Sequence, residues 1–74
     1  MNKLAVAELI TGDINNYKAQ PFSESPYVAT YMPSKDSIIV RDRNSKVLGA
    51  FELTNQPWKD QVSDILFELK QLES

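Results

Sequence analysis

The stretch Ser37-Ile-Ile-Val-Arg-Asp-Arg-Asn-Ser-Lys-Val-Leu-Gly-Ala-Phe-Glu-Leu53 decides the fold. Two apolar, β-branched runs flank a short polar turn, and neither run contains proline. Two such runs joined by a polar turn are typical of a β-hairpin. The sequence therefore predicts a hairpin over 37–53, with the segments before and after it covering its apolar face.

The length of the polar turn decides which side chains share a face of this hairpin, because a one-residue change of register exchanges the two faces of a strand. An even loop, either Asn44-Ser45 or 42–45, groups Ile38, Val40, Val47, Phe51 and Leu53. A three-residue loop would instead group Ile39 and Arg41 with Val47, Phe51 and Leu53. We prefer the even loop because it places Arg41 and Glu52 together on the second face, which also holds Ile39, Leu48 and Ala50.

The residues before the hairpin predict a helix and then a strand. Good helix formers are concentrated in Lys3–Ile10, and Asn2 can cap the first turn. Gly12 suits the left-handed position that ends a helix, so we expect a helix over 2–11, with an irregular extension to 18 as the alternative. Its apolar stripe is best described as Leu4, Val6, Leu9 and Ile10. After a loop, residues 27–32 have strand composition.

The residues after the hairpin carry the clearest periodic signal in the chain. Pro57 follows Thr54-Asn55-Gln56, and proline is well suited to the first turn of a helix. Apolar residues then recur at offsets of 0, 4, 7, 8, 11 and 14: Trp58, Val62, Ile65, Leu66, Leu69 and Leu72. This spacing predicts an amphipathic helix over 57–72 that packs on the sheet.

Together these elements predict a single small α+β domain over 1–74, in the order α-β-β-β-α. We expect a three-stranded antiparallel sheet with the C-terminal amphipathic helix packed on one face. The N-terminal helix would pack beside that helix or on the other face.

Composition argues against catalysis. The chain has no cysteine and no histidine, so disulfides, thiol nucleophiles, the commonest zinc ligand and the usual general base near neutral pH are all missing. Its seven serines lack a base to activate them, and its two glycines form no phosphate-binding loop. We expect a protein that is not an enzyme and that uses no cofactor and no metal.

Charge and hydropathy bear on partners and location. The net charge of −2 gives no reason to expect general binding to DNA or to membranes. No stretch approaches the ~20 apolar residues that a membrane-spanning helix needs. We therefore expect no membrane partner and a cytoplasmic location.

The sequence instead offers candidate surfaces for protein binding. Asp60, Asp64 and Glu68 recur every four residues and predict an acidic stripe, which is either a solvated face or a contact for a basic partner. Phe67 lies nearly opposite the apolar stripe of its helix, so it is either covered by another segment of the chain or an interface anchor. Ile39 and Leu48 make the second sheet face too apolar for solvent alone. These residues predict a small non-enzymatic interaction or regulatory module: an oligomer, or an inhibitor or subunit of a larger protein.

The alternative is a nucleic-acid-binding module that uses the basic residues around the hairpin: Lys35, Arg41, Arg43 and Lys46. The order α-β-β-β-α is also that of double-stranded-RNA-binding domains, and Val47-Leu48-Gly49 followed by a strand, a loop and a helix fits that topology. Such domains place lysines at the start of the last helix, whereas this chain has Pro57-Trp-Lys-Asp-Gln61. The likeness is one of topology, so nucleic acid is possible but not the favoured partner.

Overall fold

A computed structural model describes residues 2–73 of the chain. Its elements are α1 (Lys3–Asn15), β1 (Val28–Met32), a 3-10 turn (Pro33–Lys35), β2 (Ser37–Arg41), β3 (Val47–Glu52) and α2 (Trp58–Glu73). The three strands form one antiparallel sheet in the order β1-β2-β3. The predicted α+β class and element order are confirmed.

Both helices cover the same face of the sheet. α1 packs on β1 and against α2, and α2 contacts β3, so α1 takes the first of its two predicted positions. The core between the two layers consists of Ile10, Ile14, Tyr27, Ala29, Ile38, Val40, Val62, Ile65 and Leu69. Within residues 2–73, no helix covers the opposite face of the sheet.

Helix α1 begins as predicted and ends later than predicted. The Asn2 side chain caps it by accepting a hydrogen bond from the Ala5 amide at 2.8 Å. Gly12 does not end the helix: its φ is not positive, and the helix continues through Ile14 to Asn15. The reason is tertiary, because continuing the helix buries Ile14 completely, and this burial outweighs the ~1 kcal/mol by which glycine disfavours a helix.

The apolar stripe of α1 also differs from the predicted one. The residues that α1 buries are Ala7, Ile10 and Ile14, at the spacing of three and four that one helix face requires. Leu4 and Leu9, which we had placed on the buried stripe, are exposed.

The hairpin loop contradicts the even register that the sequence favoured. Asp42 donates its amide to the Lys46 carbonyl at 2.9 Å, so three residues, 43–45, form the loop. Ser45 takes a left-handed φ of 68°, and the Asp42 carboxylate accepts the amides of Asn44 and Lys46 at 2.8 and 3.0 Å. The side chain of Asp42 thus stabilises the three-residue loop, which we had expected to be less favourable than an even loop.

A β-bulge then restores most of the predicted pairing. Arg41 pairs with Val47 and Val40 pairs with Gly49, so Leu48 is an extra residue in β3. Because of this insertion, Ile38 and Val40 do share the core face with Phe51 and Leu53. The predicted faces of Val47 and Leu48 are wrong. Leu48 packs against the core, whereas Val47 is exposed on the sheet face away from the helices.

Candidate protein-binding surface

Both outer strands of the sheet, β1 and β3, have an edge that no other strand of the described chain pairs with. Such edges expose backbone N–H and C=O groups that can pair with another chain, and proteins usually protect them. The two edges of this protein are protected to different extents.

The edge of β1 is closed at Ala29, the second of its five residues, by the side chain of Asn15. The Asn15 carboxamide accepts the Ala29 amide proton at 2.7 Å and donates to the Ala29 carbonyl at 3.1 Å. One side chain therefore makes both hydrogen bonds that a neighbouring strand would make with Ala29. Asn15 is the last residue of α1, so this contact also fixes the end of the helix against the sheet.

The edge of β3 is closed only at its C-terminal end, by Gln61 of α2. The buried Gln61 carboxamide donates to the Glu52 carbonyl at 2.6 Å and accepts the Thr54 amide proton at 3.2 Å. On the inner side, the Leu53 amide donates to Asp36 of the preceding turn. Because hydrogen bonding alternates along a strand, Ala50 and Glu52 direct their backbone groups away from β2.

Part of the β3 edge is consequently open. In the described chain, no hydrogen bond reaches the Ala50 amide or carbonyl from the outer side, and none reaches the Glu52 amide. β3 contains no proline and no lysine, two residues that commonly protect an edge. These three backbone groups are available to an incoming strand.

A groove lies between this open edge and helix α2. One stretch of it, of about 380 Å³, is lined from β3 by Leu48, Gly49, Ala50 and Phe51 and from α2 by Glu68, Gln71 and Leu72. A second stretch of about 330 Å³ shares Ala50, Phe51 and Glu68 with the first and continues toward Gln61 and Asp64. The groove thus runs along β3 with apolar residues at one end and polar ones at the other.

The floor of the groove depends on Gly49. A Cβ atom at this position would lie 2.9 Å from the tip of the Phe51 ring, so the ring lies over the glycine backbone. Any larger residue would push the ring away from its place. Gly49 therefore allows the Phe51 ring to lie against the backbone of β3, which leaves the groove open above the ring.

Two of the three acidic residues predicted as a stripe line one side of this groove. Asp64 and Glu68 line it, and Asp60 is exposed in the first turn of α2. The Asp64 carboxylate accepts one hydrogen bond from the Gln56 side chain at 3.1 Å. Glu52 of β3 also borders the groove, but strand alternation places its exposed side chain on the sheet face that the helices do not cover.

Two of the other predicted interaction residues lie elsewhere. Phe67 is 64% exposed, so neither α1 nor the 19–26 loop covers it, and it lies outside the groove. Ile39 lies on the sheet face that the helices do not cover, where it is buried between its strand neighbours Thr30 and Ala50. Leu48, predicted for that same face, instead lines the groove because of the bulge.

The basic residues of the alternative prediction are not gathered on one surface. Lys35 lies in the 3-10 turn before β2, whereas Arg41 ends β2 and Lys46 lies beyond the loop. The strand between them has five residues, which corresponds to roughly 16 Å. Arg43 is committed to its own chain, since it donates to the Ser25 carbonyl at 2.7 Å and pairs with Glu24 at 3.4 Å.

One exposed aromatic residue was missed by the sequence reasoning. Phe22 is fully exposed at the tip of a tight turn in which Gln20 and Ser23 exchange backbone hydrogen bonds of 2.8 and 3.2 Å. The signal was available, because Pro21 favours the second position of such a turn and places Phe22 at the third.

A separate charged cluster joins α1 to the turn before β2. The Asp36 carboxylate accepts hydrogen bonds from the Lys3 ammonium at 2.9 Å and from the Tyr31 hydroxyl at 2.8 Å. Two hydrogen bonds hold the pKa of Asp36 below its usual value; the one from Lys3 has the larger effect and the one from Tyr31 the smaller. Their hydrogen bonds to Asp36 in turn raise the pKa values of Lys3 and Tyr31. All three side chains have partners within the cluster, which joins the start of α1 to the turn before β2.

Comparison with family models, with characterised proteins and with solved structures found no significant match to this chain. Among residues 2–73, no three side chains of the metal-binding types come together. None of the helices in this range has the length and apolar character needed to cross a membrane. The groove and the open edge of β3 are therefore the features of this chain that bear most directly on its function.

Proposed function

We propose that this chain is a non-enzymatic protein-interaction module whose binding surface is the groove between β3 and α2. The observation that carries the proposal is the open edge of β3 directly beside that groove. Backbone groups at an edge supply affinity, and an adjoining pocket supplies selectivity, in the recognition of extended segments.

The protein bound in this way is a larger partner, for which the chain acts as a small subunit or inhibitor. Leu72, which is 63% exposed and lines the apolar end of the groove, is the side chain best placed to contact it. A short chain with a small core gains stability when apolar surface of this kind is covered. A cytoplasmic location is part of the proposal and is supported by the absence of cysteine.

The geometry favours this proposal over nucleic-acid binding. The four basic residues are divided between two ends of β2, and Arg43 already has two partners in its own chain. A phosphate backbone is bound by basic side chains that act together, and the affinity falls as salt screens them. Because the basic residues of this chain are divided between two places, we expect them to bind nucleic acid only weakly.

The test is capture of a partner from cells with the immobilised chain and two variants. Leu72→Asp places a charge in the groove, and Leu4→Asp places the same charge on an exposed leucine of α1, away from the groove. Both residues are more than half exposed, so neither variant should lose its fold.

We expect a protein that is retained by the wild type and by Leu4→Asp and that is lost from Leu72→Asp. Equal retention by all three chains would refute the groove as the binding surface.

A further inference from the structure

We propose that the occupant of the groove is an extended basic segment of the partner, which pairs with β3 as a fourth strand of the sheet. This inference rests on the proposed function and specifies the chemistry of the bound segment. Its support comes from the backbone of β3, the alternation of side chains in a strand, and the charges on either side of the groove.

The open backbone groups set the length of the bound strand. The Ala50 amide, the Ala50 carbonyl and the Glu52 amide face outward, and Gln61 occupies the next position along the edge. An added strand can form hydrogen bonds with these groups and must end or turn away at Gln61. Because β3 has six residues and its C-terminal end is blocked, the paired segment is short, with about four or five residues.

The groove sets the character of every second residue in that segment. Side chains of a strand alternate between the two faces of the sheet, so those on the helix side enter the groove over Leu48, Phe51 and Leu72. The rim there carries Glu68 and, farther along, Asp64. A lysine or arginine matches this arrangement, because its aliphatic stem covers the apolar floor while its cationic head reaches a carboxylate.

The other face of the added strand meets a second acid. Side chains on the sheet face that the helices leave uncovered would lie beside Ala50 and Glu52, which are exposed there. A basic residue is therefore favoured on this face as well, opposite Glu52. Acids on both faces select a segment that is basic and not merely apolar.

Charge also argues against a second copy of this chain as the occupant. In a two-fold dimer each surface meets its own equivalent, so pairing of β3 with β3 would place the two α2 helices side by side. Glu68, which lies beside Ala50 near the centre of that pairing, would then approach the same carboxylate of the second copy. Like charges at such a contact are unfavourable, which leaves the edge open to a basic strand and closed to self-association.

The experiment uses three end-capped octapeptides as probes. The first alternates lysine and valine, the second alternates glutamate and valine, and the third repeats the first with an N-methyl group on every backbone nitrogen, so that neither of its edges can donate hydrogen bonds. Binding is followed by the amide resonances of the ¹⁵N-labelled chain, with attention to Ala50 and Glu52. Glu68→Lys is the test variant, and Glu8→Lys, an exposed acid on α1, is its matched control.

We expect the Lys-Val peptide to shift the Ala50 and Glu52 amides and slow their hydrogen exchange. The Glu-Val and N-methylated peptides should bind at least roughly tenfold more weakly, which corresponds to about 1.4 kcal/mol. Glu68→Lys should reduce the preference for the basic peptide, and Glu8→Lys should leave it unchanged.

Several results would overturn the inference: equal binding of the Lys-Val and Glu-Val peptides, no effect of N-methylation, or shifts away from β3. If a cellular protein is lost from Leu72→Asp but the Lys-Val peptide neither binds the chain nor displaces that protein, the proposed function stands and this inference fails. If the peptide shows the expected behaviour but no protein depends on Leu72, the inference about the edge stands and the proposed groove contact fails.

Discussion

The hydrogen bonds of Asn15 provide the sharpest test of the fold. Replacing Asn15 with alanine removes the acceptor for the Ala29 amide, at 2.7 Å, and the donor to the Ala29 carbonyl, at 3.1 Å. Ala29 itself is 4% exposed, so its backbone groups have limited access to water in place of the lost partner. We therefore expect the variant to lose more stability than a surface substitution normally does.

The expected loss can be worked out from these two contacts. A hydrogen bond contributes a net ~0.5–1.5 kcal/mol, so two of them contribute about 1–3 kcal/mol. In a domain of this size, a loss of about 2 kcal/mol lowers the Tm by roughly 8–16 °C. For a chain that buries so little surface on folding, such a loss is a large part of the total free energy of unfolding.

The matched control is Asn16→Ala, one residue farther along the chain. The Asn16 side chain donates only to the Gly12 carbonyl, at 3.0 Å and in an exposed position. Both variants replace asparagine with alanine at the end of the same helix, so the change in helix propensity largely cancels in the difference between them. The free energies of unfolding should be measured by urea titration with far-ultraviolet circular dichroism.

We expect Asn15→Ala to be less stable than Asn16→Ala by roughly 1–2 kcal/mol. Equal stability of the two variants would refute the assignment of Asn15 as the group that closes the β1 edge. A second expectation concerns association: with Ala29 uncovered, Asn15→Ala should form dimers at lower concentration in sedimentation measurements than Asn16→Ala does.

Two further predictions concern charge and packing. Because Lys3 and Tyr31 lower the pKa of Asp36, the ionised carboxylate contributes stability above its usual pKa, and that contribution is lost as the pH falls through the lowered value. Asp36→Asn retains a residue that tolerates the left-handed φ of 50°, so its stability deficit in urea titrations should shrink between pH 7 and pH 3, and a constant deficit would contradict this. Ile65→Ala should lose about 2–5 kcal/mol, since Ile65 is 2% exposed, whereas Phe67→Ala should change stability by less than about 0.5 kcal/mol. A comparable loss in both, by the same titration, would mean that Phe67 is packed.

The sequence predicted the features that have a clear local pattern, but it did not predict the buried side of α1 correctly. The period of α2 identified its buried side, and the β-branched runs identified all three strands with small errors at their ends. The errors arose where a tertiary contact or one turn decided the outcome. Gly12 ended the predicted helix because the burial of Ile14 depends on a strand that is distant in the chain.

The hairpin shows the same limit more clearly. Its register depends on Asp42 accepting two amides and on an extra residue at Leu48, and neither is visible in the alternation of apolar residues. Two errors of one residue, in the loop and at the bulge, cancelled over most of the strand. The two errors did not cancel between the loop and the bulge, so Val47 and Leu48 were assigned to the wrong faces. As a result Leu48, which lines the groove, was placed on the sheet face that the helices do not cover.

The candidate site was only partly predictable for a related reason. Gln61 lies on the buried side of α2, three residues after Trp58 and four before Ile65, so a polar residue beside the apolar stripe was the available signal. The acids Asp64 and Glu68 were identified from their spacing, but their position beside a strand edge requires the packed fold. A surface formed between two elements cannot be found from the pattern of either one alone.

The groove beside the β3 edge is the strongest reason to propose β3 as a binding element. At β1, Asn15 bridges both backbone groups of Ala29, and Pro26 and Pro33 flank the strand, so this edge has two features that disfavour pairing with another strand. β3 receives a similar carboxamide from Gln61, but at its end, where it limits the length of an added strand without preventing pairing at Ala50. If the acids beside Ala50 served only to keep the edge from aggregating, a lysine in β3 or a carboxamide at Ala50 would do so without a groove. The groove is the reason for our proposal that those acids select the charge of a strand that binds there.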